Sequence, residues 1–191
     1  RMARISLRER ILNHQQCGAL PRRSATDLLA CLIHDIEHAL ESERVFSVAT
    51  LDVQGAFDAV QKNRLGLTLL RQGWPRNLVR WAISFCTDRS ARVRLDGATS
   101  DYFHPECGLP QGSPVSPVPF MLSIADAFPR TGQSLFGYAD DIAIGCEGPT
   151  HEATTKQLTE LVGELLDWGL ENKTIFDPDK AEAMHFTRRK P

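Results

Sequence analysis

The spacing of apolar and polar positions changes several times along the chain, and each change marks a predicted element. Ser6-Leu7-Arg8-Glu9 has capping-box spacing, which predicts a short helix running from there towards Gly18. Ser24-Ala25-Thr26-Asp27 opens a second helix, with Leu28, Leu32, Ile36 and Ala39 at helical intervals on one face. After the polar break Glu41-Ser42-Glu43-Arg44, the run from Val45 to Leu51 is rich in β-formers and too short for a helix. It reads as a strand with Asp52 at its C-terminal end. Two helices follow: one holds Leu65, Leu69 and Leu70 and stops at Gly73, the other starts at Pro75 and holds Leu78, Val79 and Ile83. Arg92 to Leu95, then Asp96-Gly97, then an extended stretch to Phe103 predict a β-hairpin.

Ser116 to Phe128 reads as a helix whose first turn takes Pro117 and Pro119. Leu135 to Tyr138, Ala139-Asp140-Asp141 and Ile142 to Ile144 read as strand, turn and strand. Between His151 and Asn172 an amphipathic helix turns Leu158, Leu161, Val162, Leu165 and Trp168 inward, and Ala183 to Phe186 reads as a last strand. This order implies an α+β fold, with helices covering one face of a mainly antiparallel sheet and the other face free for a ligand.

Composition narrows the picture. A chain of 191 residues, 42% hydrophobic and 24% charged, is long enough for one good core. No run approaches the ~18 consecutive apolar residues of a membrane span, so no membrane partner is expected. Arg1-Met2-Ala3-Arg4-Ile5 has no apolar run behind its charges; it reads as a cut inside a longer protein rather than a secretory signal. The five cysteines are scattered and contain no C-x-x-C pair, which points away from zinc and disulfides and towards a reducing compartment, cytoplasm or nucleus. The net charge of −2 argues weakly against nucleic acid. Local charge differs from this balance: Arg1, Arg4, Arg8, Arg10, Arg22 and Arg23 crowd the N-terminal part, and Arg188, Arg189 and Lys190 close the chain.

Three segments carry chemistry. In Leu51-Asp52-Val53-Gln54-Gly55-Ala56-Phe57-Asp58, a carboxylate at a strand end is followed by small residues and a chain reversal. The arrangement exposes an acid and several backbone N–H groups, suited to a hard cation and a triphosphate; a helix-capping role for Asp52 is the alternative. In Phe136 to Ile144, the adjacent acids Asp140 and Asp141 lie between apolar strands, where like charges repel unless a cation neutralises them. A solvated acidic turn is the plainer reading. The Gly and Pro content of Gly108-Leu109-Pro110-Gln111-Gly112-Ser113-Pro114-Val115-Ser116-Pro117 forces a specific loop leading into a helix, and Gln111 and Ser113 add hydrogen-bonding groups.

In this order the three segments resemble motifs A, C and B of reverse transcriptases, most closely those of non-LTR (LINE-like) retrotransposons; along the chain they run A, B, C. The resemblance extends further. Gly18-Ala19-Leu20-Pro21-Arg22-Arg23-Ser24-Ala25-Thr26-Asp27 is similar to a fingers motif, and Trp168 with Asp179-Lys180-Ala181-Glu182 and Phe186 is similar to motif D. Leu20 stands where many relatives have arginine, and Ala181 where they have threonine.

The resemblance implies a right-hand polymerase palm with partial fingers. Residues 1–44 would be fingers, 45–60 palm, 61–106 fingers-side helices and hairpin, and 107–191 palm again. The chain ends soon after motif D, so a thumb, an endonuclease and a ribonuclease H segment are not expected within it. The implied activity is RNA-directed DNA synthesis, with an RNA template, a DNA primer and dNTPs as partners. Two Mg²⁺ ions, or Mn²⁺, would be held by Asp52, the Val53 main chain, Asp140 and Asp141. The resemblance assigns nucleotide contacts to Val53, Gln54, Gly55, Ala56, Phe57, Gln111, Gly112 and Ser113, with Arg23 a candidate for a phosphate. Phe57, five positions after Asp52, would exclude a ribose 2′-hydroxyl or simply pack in the core. Lys180 would protonate the pyrophosphate or be a surface lysine. A different class of reading is a non-catalytic relic of a retroelement that at most binds nucleic acid.

Overall fold

The sheet that organises the chain is built from β1 (Gln16–Cys17), β2 (Val45–Val53), β5 (Ser134–Tyr138), β6 (Asp141–Gly148) and β7 (Phe176–Phe186), in the order β1-β5-β6-β2-β7. Every pairing is antiparallel except β1 with β5. The computed structural model describes residues 1–128 and 134–188; Arg189 and Lys190, two of the cations noted at the chain's end, lie outside them. A separate two-stranded ribbon, β3 (Arg94–Leu95) with β4 (Ala98–Thr99), turns at Asp96-Gly97 as the sequence pattern predicts.

Alternation along β2 divides its side chains between two cores. Ala49, Leu51 and Val53 face the larger one, with α3 (Lys62–Arg71), α4 (Arg76–Phe85), α5 (Pro117–Ile124) and α6 (His151–Asn172) packed there; Leu65, Leu69, Val79, Phe120, Met121, Leu158 and Leu165 form its interior. Pro117 occupies the first turn of α5, where its missing N–H costs nothing. Phe46 and Val48 face the other way, against Ala39, Leu28, Leu32 and Ile36 of α2 (Ala25–Glu41). That helix begins at a full capping box between Ser24 and Asp27.

The second face is therefore not entirely bare. Helix α2 covers its far part and leaves the end that carries Thr50 and Asp52.

Three elements differ from their sequence pattern. The first helix, α1, spans Met2–Arg8 instead of beginning at Ser6, whose hydroxyl donates to the Met2 carbonyl at 2.7 Å from inside the helix. Arg10, with φ 54, breaks the chain immediately afterwards, so no helix reaches Gly18. Leu70 lies on the exposed side of α3. The last strand starts seven residues before its predicted beginning, at Phe176 rather than Ala183. Its β-formers are diluted by Asp177, Pro178, Asp179 and Lys180, and pairing with β2 supplies what local propensity lacks.

Candidate active site

Strand pairing aligns the acids. Asp52 on β2 lies opposite Asp141 on β6 and opposite Asp177 on β7, so three carboxylates share one face of the sheet. Asp140 belongs to the two-residue turn between β5 and β6, where Tyr138 and Asp141 are the closing pair and Ala139 takes φ 56. The carboxyl of Asp141 is pushed above its usual range, first by partial burial and then by the charges of Asp140 and Asp52.

Lys180 reaches this row through a bulge. Thr50 pairs with Glu182 and Asp52 with Asp177, so two steps on β2 (52 − 50) face five on β7 (182 − 177). Pro178 lies in the arch, where its missing N–H removes nothing from the ladder. The arch brings the Lys180 ammonium to Asp52, donating to Oδ2 at 2.8 Å. That hydrogen bond, then the charges of Asp52, Asp177 and Asp140, raise the Lys180 pKa and keep the amine protonated.

The same set is the test for a divalent metal. The donors are carboxylate oxygens, which suit a hard cation. Their mutual repulsion is answered here by one ammonium resting on Asp52, a position that a metal cation would compete for. Among the described residues no three His, Cys, Asp or Glu side chains already close into a metal cage. The acids fit a cation that would draw them together.

The loop Gly108–Ser113 docks on the loop after β2 through its main chain. Gly108 N–H donates to the Val60 carbonyl at 2.8 Å and Leu109 N–H to the Phe57 carbonyl at 2.7 Å. Arg89 Nη2 ties down the Cys107 and Gly108 carbonyls at 2.8 Å each, and the Cys107 thiol donates to the Asp58 carbonyl at 3.1 Å. Gly108 has φ +92, and a Cβ there would lie 2.9 Å from the Asp58 carbonyl oxygen, so only glycine allows this approach. Gln111 Nε2 donates to Asp58 Oδ2 at 2.8 Å, Ser113 Oγ accepts from the Val115 N–H at 3.3 Å, and Gly112 is exposed with φ +78. The Phe57 ring rests half-buried on Phe120, centroids 5.2 Å apart.

The remaining assigned residues are placed unevenly. Val53 and Ala56 are buried, Gln54 and Gly55 exposed, and the Gln54 N–H is already taken by the Ile175 carbonyl at 2.8 Å. Arg23 turns its guanidinium to main-chain carbonyls: Nη1 donates to Asn13 at 3.1 Å and to Gln16. Sequence reasoning missed Asp58, Arg89 and Asp177. Asp177 lies two residues before the Asp179–Glu182 segment, yet its place opposite Asp52 depends on the bulge and has no signature in spacing.

Beside the acids lies a cleft of about 410 Å³, with Leu28, Leu29 and Leu32 of α2 on one side and Asp52, Asp141 and Lys180 on the other. It is the part of the second sheet face that α2 leaves open.

Solved structures share this architecture. A telomerase from Candida albicans, in complex with a fragment of telomeric RNA, superposes with a TM-score of 0.68 over 100% of this chain and 34% of its own, at 12% identity. An apo telomerase from Candida tropicalis superposes with a TM-score of 0.66 over 96% of this chain and 38% of its own, at 14% identity. The fold is that of a polymerase palm. Residues 2–190 match the family described as reverse transcriptase (RNA-dependent DNA polymerase), and the chain belongs to that family, whose members work with divalent metal ions.

Among sequence relatives, the type-2 retrotransposable element R2DM of Drosophila melanogaster is 28% identical over 166 residues, 81% of this chain. The jockey mobile-element polymerase of the same organism is 26% identical over 159 residues, 79% of this chain. These matches cover 15% and 17% of the relatives' own lengths, so the chain corresponds to a small part of such proteins. No helix among the described residues is long and apolar enough to cross a membrane.

Proposed function

We propose that the chain is the palm of an RNA-directed DNA polymerase of a non-LTR retroelement, adding dNTPs to a DNA primer on an RNA template. The observation that carries this reading is the row of acids on one sheet face, Asp141 opposite Asp52, with Asp140 in the adjoining turn and Lys180 on Asp52. Asp52, Asp140 and Asp141 would hold Mg²⁺, two ions in all, with Mn²⁺ as a substitute and the Val53 carbonyl as a further donor. When bound, such ions supply activation of the primer hydroxyl and neutralisation of charge on the transferring phosphate.

The chain's own groups do the rest. The docked loop from Gly108 to Ser113 holds Gln111 over the loop after Asp52, where the incoming nucleotide would lie, with Gly112 and Ser113 beneath it. Gly55, Ala56 and the exposed side of Gln54 line the path of the triphosphate. Phe57, stiffened by Phe120, limits space at the sugar. Lys180 holds a proton at Nζ near the leaving group, ready for transfer once it parts from Asp52.

Primer extension on an RNA template by the full-length protein tests the proposal. Wild type should incorporate dNTPs in a divalent-metal-dependent way, and Asp140→Ala should lose incorporation while still binding the primer–template. Undiminished synthesis by Asp140→Ala would overturn the assignment.

A further inference from the structure

The segment Gln15–Gly18 runs along the outer edge of β5, the strand that leads into the turn carrying Asp140. Three alternate N–H groups of that edge are accepted in succession. Leu135 N–H donates to Gln15 Oε1 at 3.3 Å, Gly137 N–H to the Gln15 carbonyl at 3.2 Å, and Ala139 N–H to the Cys17 carbonyl at 3.4 Å. The last of these rungs lies one residue before Asp140. Gly18 fits against the same turn: it has φ +80, and a Cβ there would stand 2.7 Å from the Ala139 nitrogen.

A two-residue strand is too short to hold its own position. Its side chains help little, because the buried Gln16 amide finds no hydrogen-bond partner. What closes the loop behind it is Arg23, whose Nη1 donates to the carbonyls of Asn13 and Gln16. Ser24 and Asp27 follow directly in the α2 capping box, so the guanidinium is anchored to the start of a long helix.

We infer that Arg23 is a positioning residue for the acidic turn: it fixes Gln15–Gly18, and that segment fixes Ala139 and hence Asp140. The inference rests on the reading of Asp140 as catalytic. It replaces a phosphate contact for Arg23 with a main-chain clamp, and it makes Gly18 the point where the clamp meets the turn.

The two roles separate kinetically. A phosphate contact, when lost, raises the KM for dNTP. A displaced carboxylate lowers kcat, since a misplacement of about 1 Å costs ~10²-fold. The experiment is single-nucleotide incorporation by the full-length protein as wild type, Arg23→Ala, Gly18→Ala, the double variant and Asp140→Ala, with primer–template Kd and melting temperature for each. Arg23→Ala and Gly18→Ala should each lower kcat about 10- to 100-fold, with the KM for dNTP within about twofold of wild type. The double variant should be about as slow as the slower single one, because both cut the same link.

A tenfold rise in KM with kcat preserved overturns the inference in favour of a phosphate contact. Unchanged kinetics in Arg23→Ala, multiplicative losses in the double variant, or a fall in kcat matched by falling primer–template affinity and melting temperature overturn it as well. Activity retained by Asp140→Ala would instead dispose of the reading beneath it, which keeps the two failures distinct.

Discussion

Gly108→Ala tests whether the docking of the Gly108–Ser113 loop depends on close backbone approach. The substitution places a methyl 2.9 Å from the Asp58 carbonyl oxygen, 3.0 Å from its Cα and 3.2 Å from its carbonyl carbon, at φ +92. Carbon atoms settle at about 3.5–4.0 Å, so the loop must retreat by roughly 0.5–1 Å. Positive φ costs an alanine about 1–2 kcal/mol. Retreat also stretches the bonds from Gly108 N–H to Val60 and from Leu109 N–H to Phe57, now 2.8 and 2.7 Å. Losing one or two of these costs about 0.5–1.5 kcal/mol each.

The total is about 2–5 kcal/mol, a large share of the ~5–15 kcal/mol that holds a typical domain. Gly112 supplies the control: φ is +78, but nothing lies within 4 Å of its Cβ position, so Gly112→Ala carries only the backbone strain. Urea and thermal unfolding should therefore place Gly108→Ala about 1–3 kcal/mol below Gly112→Ala, roughly 2–12 °C in Tm for a domain of this size. Equal stability of the two variants within about 0.5 kcal/mol would refute the close-approach argument.

Phe57→Ala should cost about 2 kcal/mol in unfolding experiments, because a half-buried ring resting on Phe120 is lost, less than the ~3–5 kcal/mol of a fully buried Phe. In incorporation assays the same variant should let ribonucleotides compete with dNTPs; unchanged discrimination by an active variant would leave Phe57 only its packing role. For the thiols, a chromogenic disulfide should react at once with exposed Cys31, and with Cys17, Cys86 and Cys146 only after denaturation. Burial pushes the Cys146 thiol up to about 11 from 9.0, so its stabilising contribution is whole below pH 9 and is lost as pH rises towards 11. Rapid native labelling of Cys146 at pH 8 would contradict that burial.

Local signals carried most of the elements. The Ser24 capping box, the apolar periodicity of α6, the Asp96-Gly97 turn and the apolar runs around Asp140-Asp141 each act within one turn or one strand, so spacing alone exposes them. What the sequence did not disclose was decided by pairing across distance. Residues 176–182 have no strand pattern; they become strand because β2 offers an edge, and the mismatch in register creates the bulge that carries Lys180. Ser6 has the spacing of a cap yet sits inside a helix, because Met2, Ile5 and Leu7 find apolar partners in the core. A capping signal states a local preference, and tertiary burial overrides it.

The same distinction separates the chemical residues from those that place them. Asp52, Asp140, Asp141 and Gln111, the residues proposed to carry the chemistry, lie in compact sequence motifs, because chemistry restricts which residue types can serve. Arg89, Gly18 and Arg23 work on backbone carbonyls or on the space beside a backbone nitrogen, and a carbonyl has no residue type to recognise. Every residue offers one, so nothing in the sequence says which carbonyl a guanidinium will take. The supports of this site are thus legible only once the chain is folded: Arg89 beneath the Gly108 loop, and Arg23 behind the strand that steadies the acidic turn. Both use a fixed cation to hold main chain, whereas the cation that rests on a carboxylate of the acidic row is Lys180.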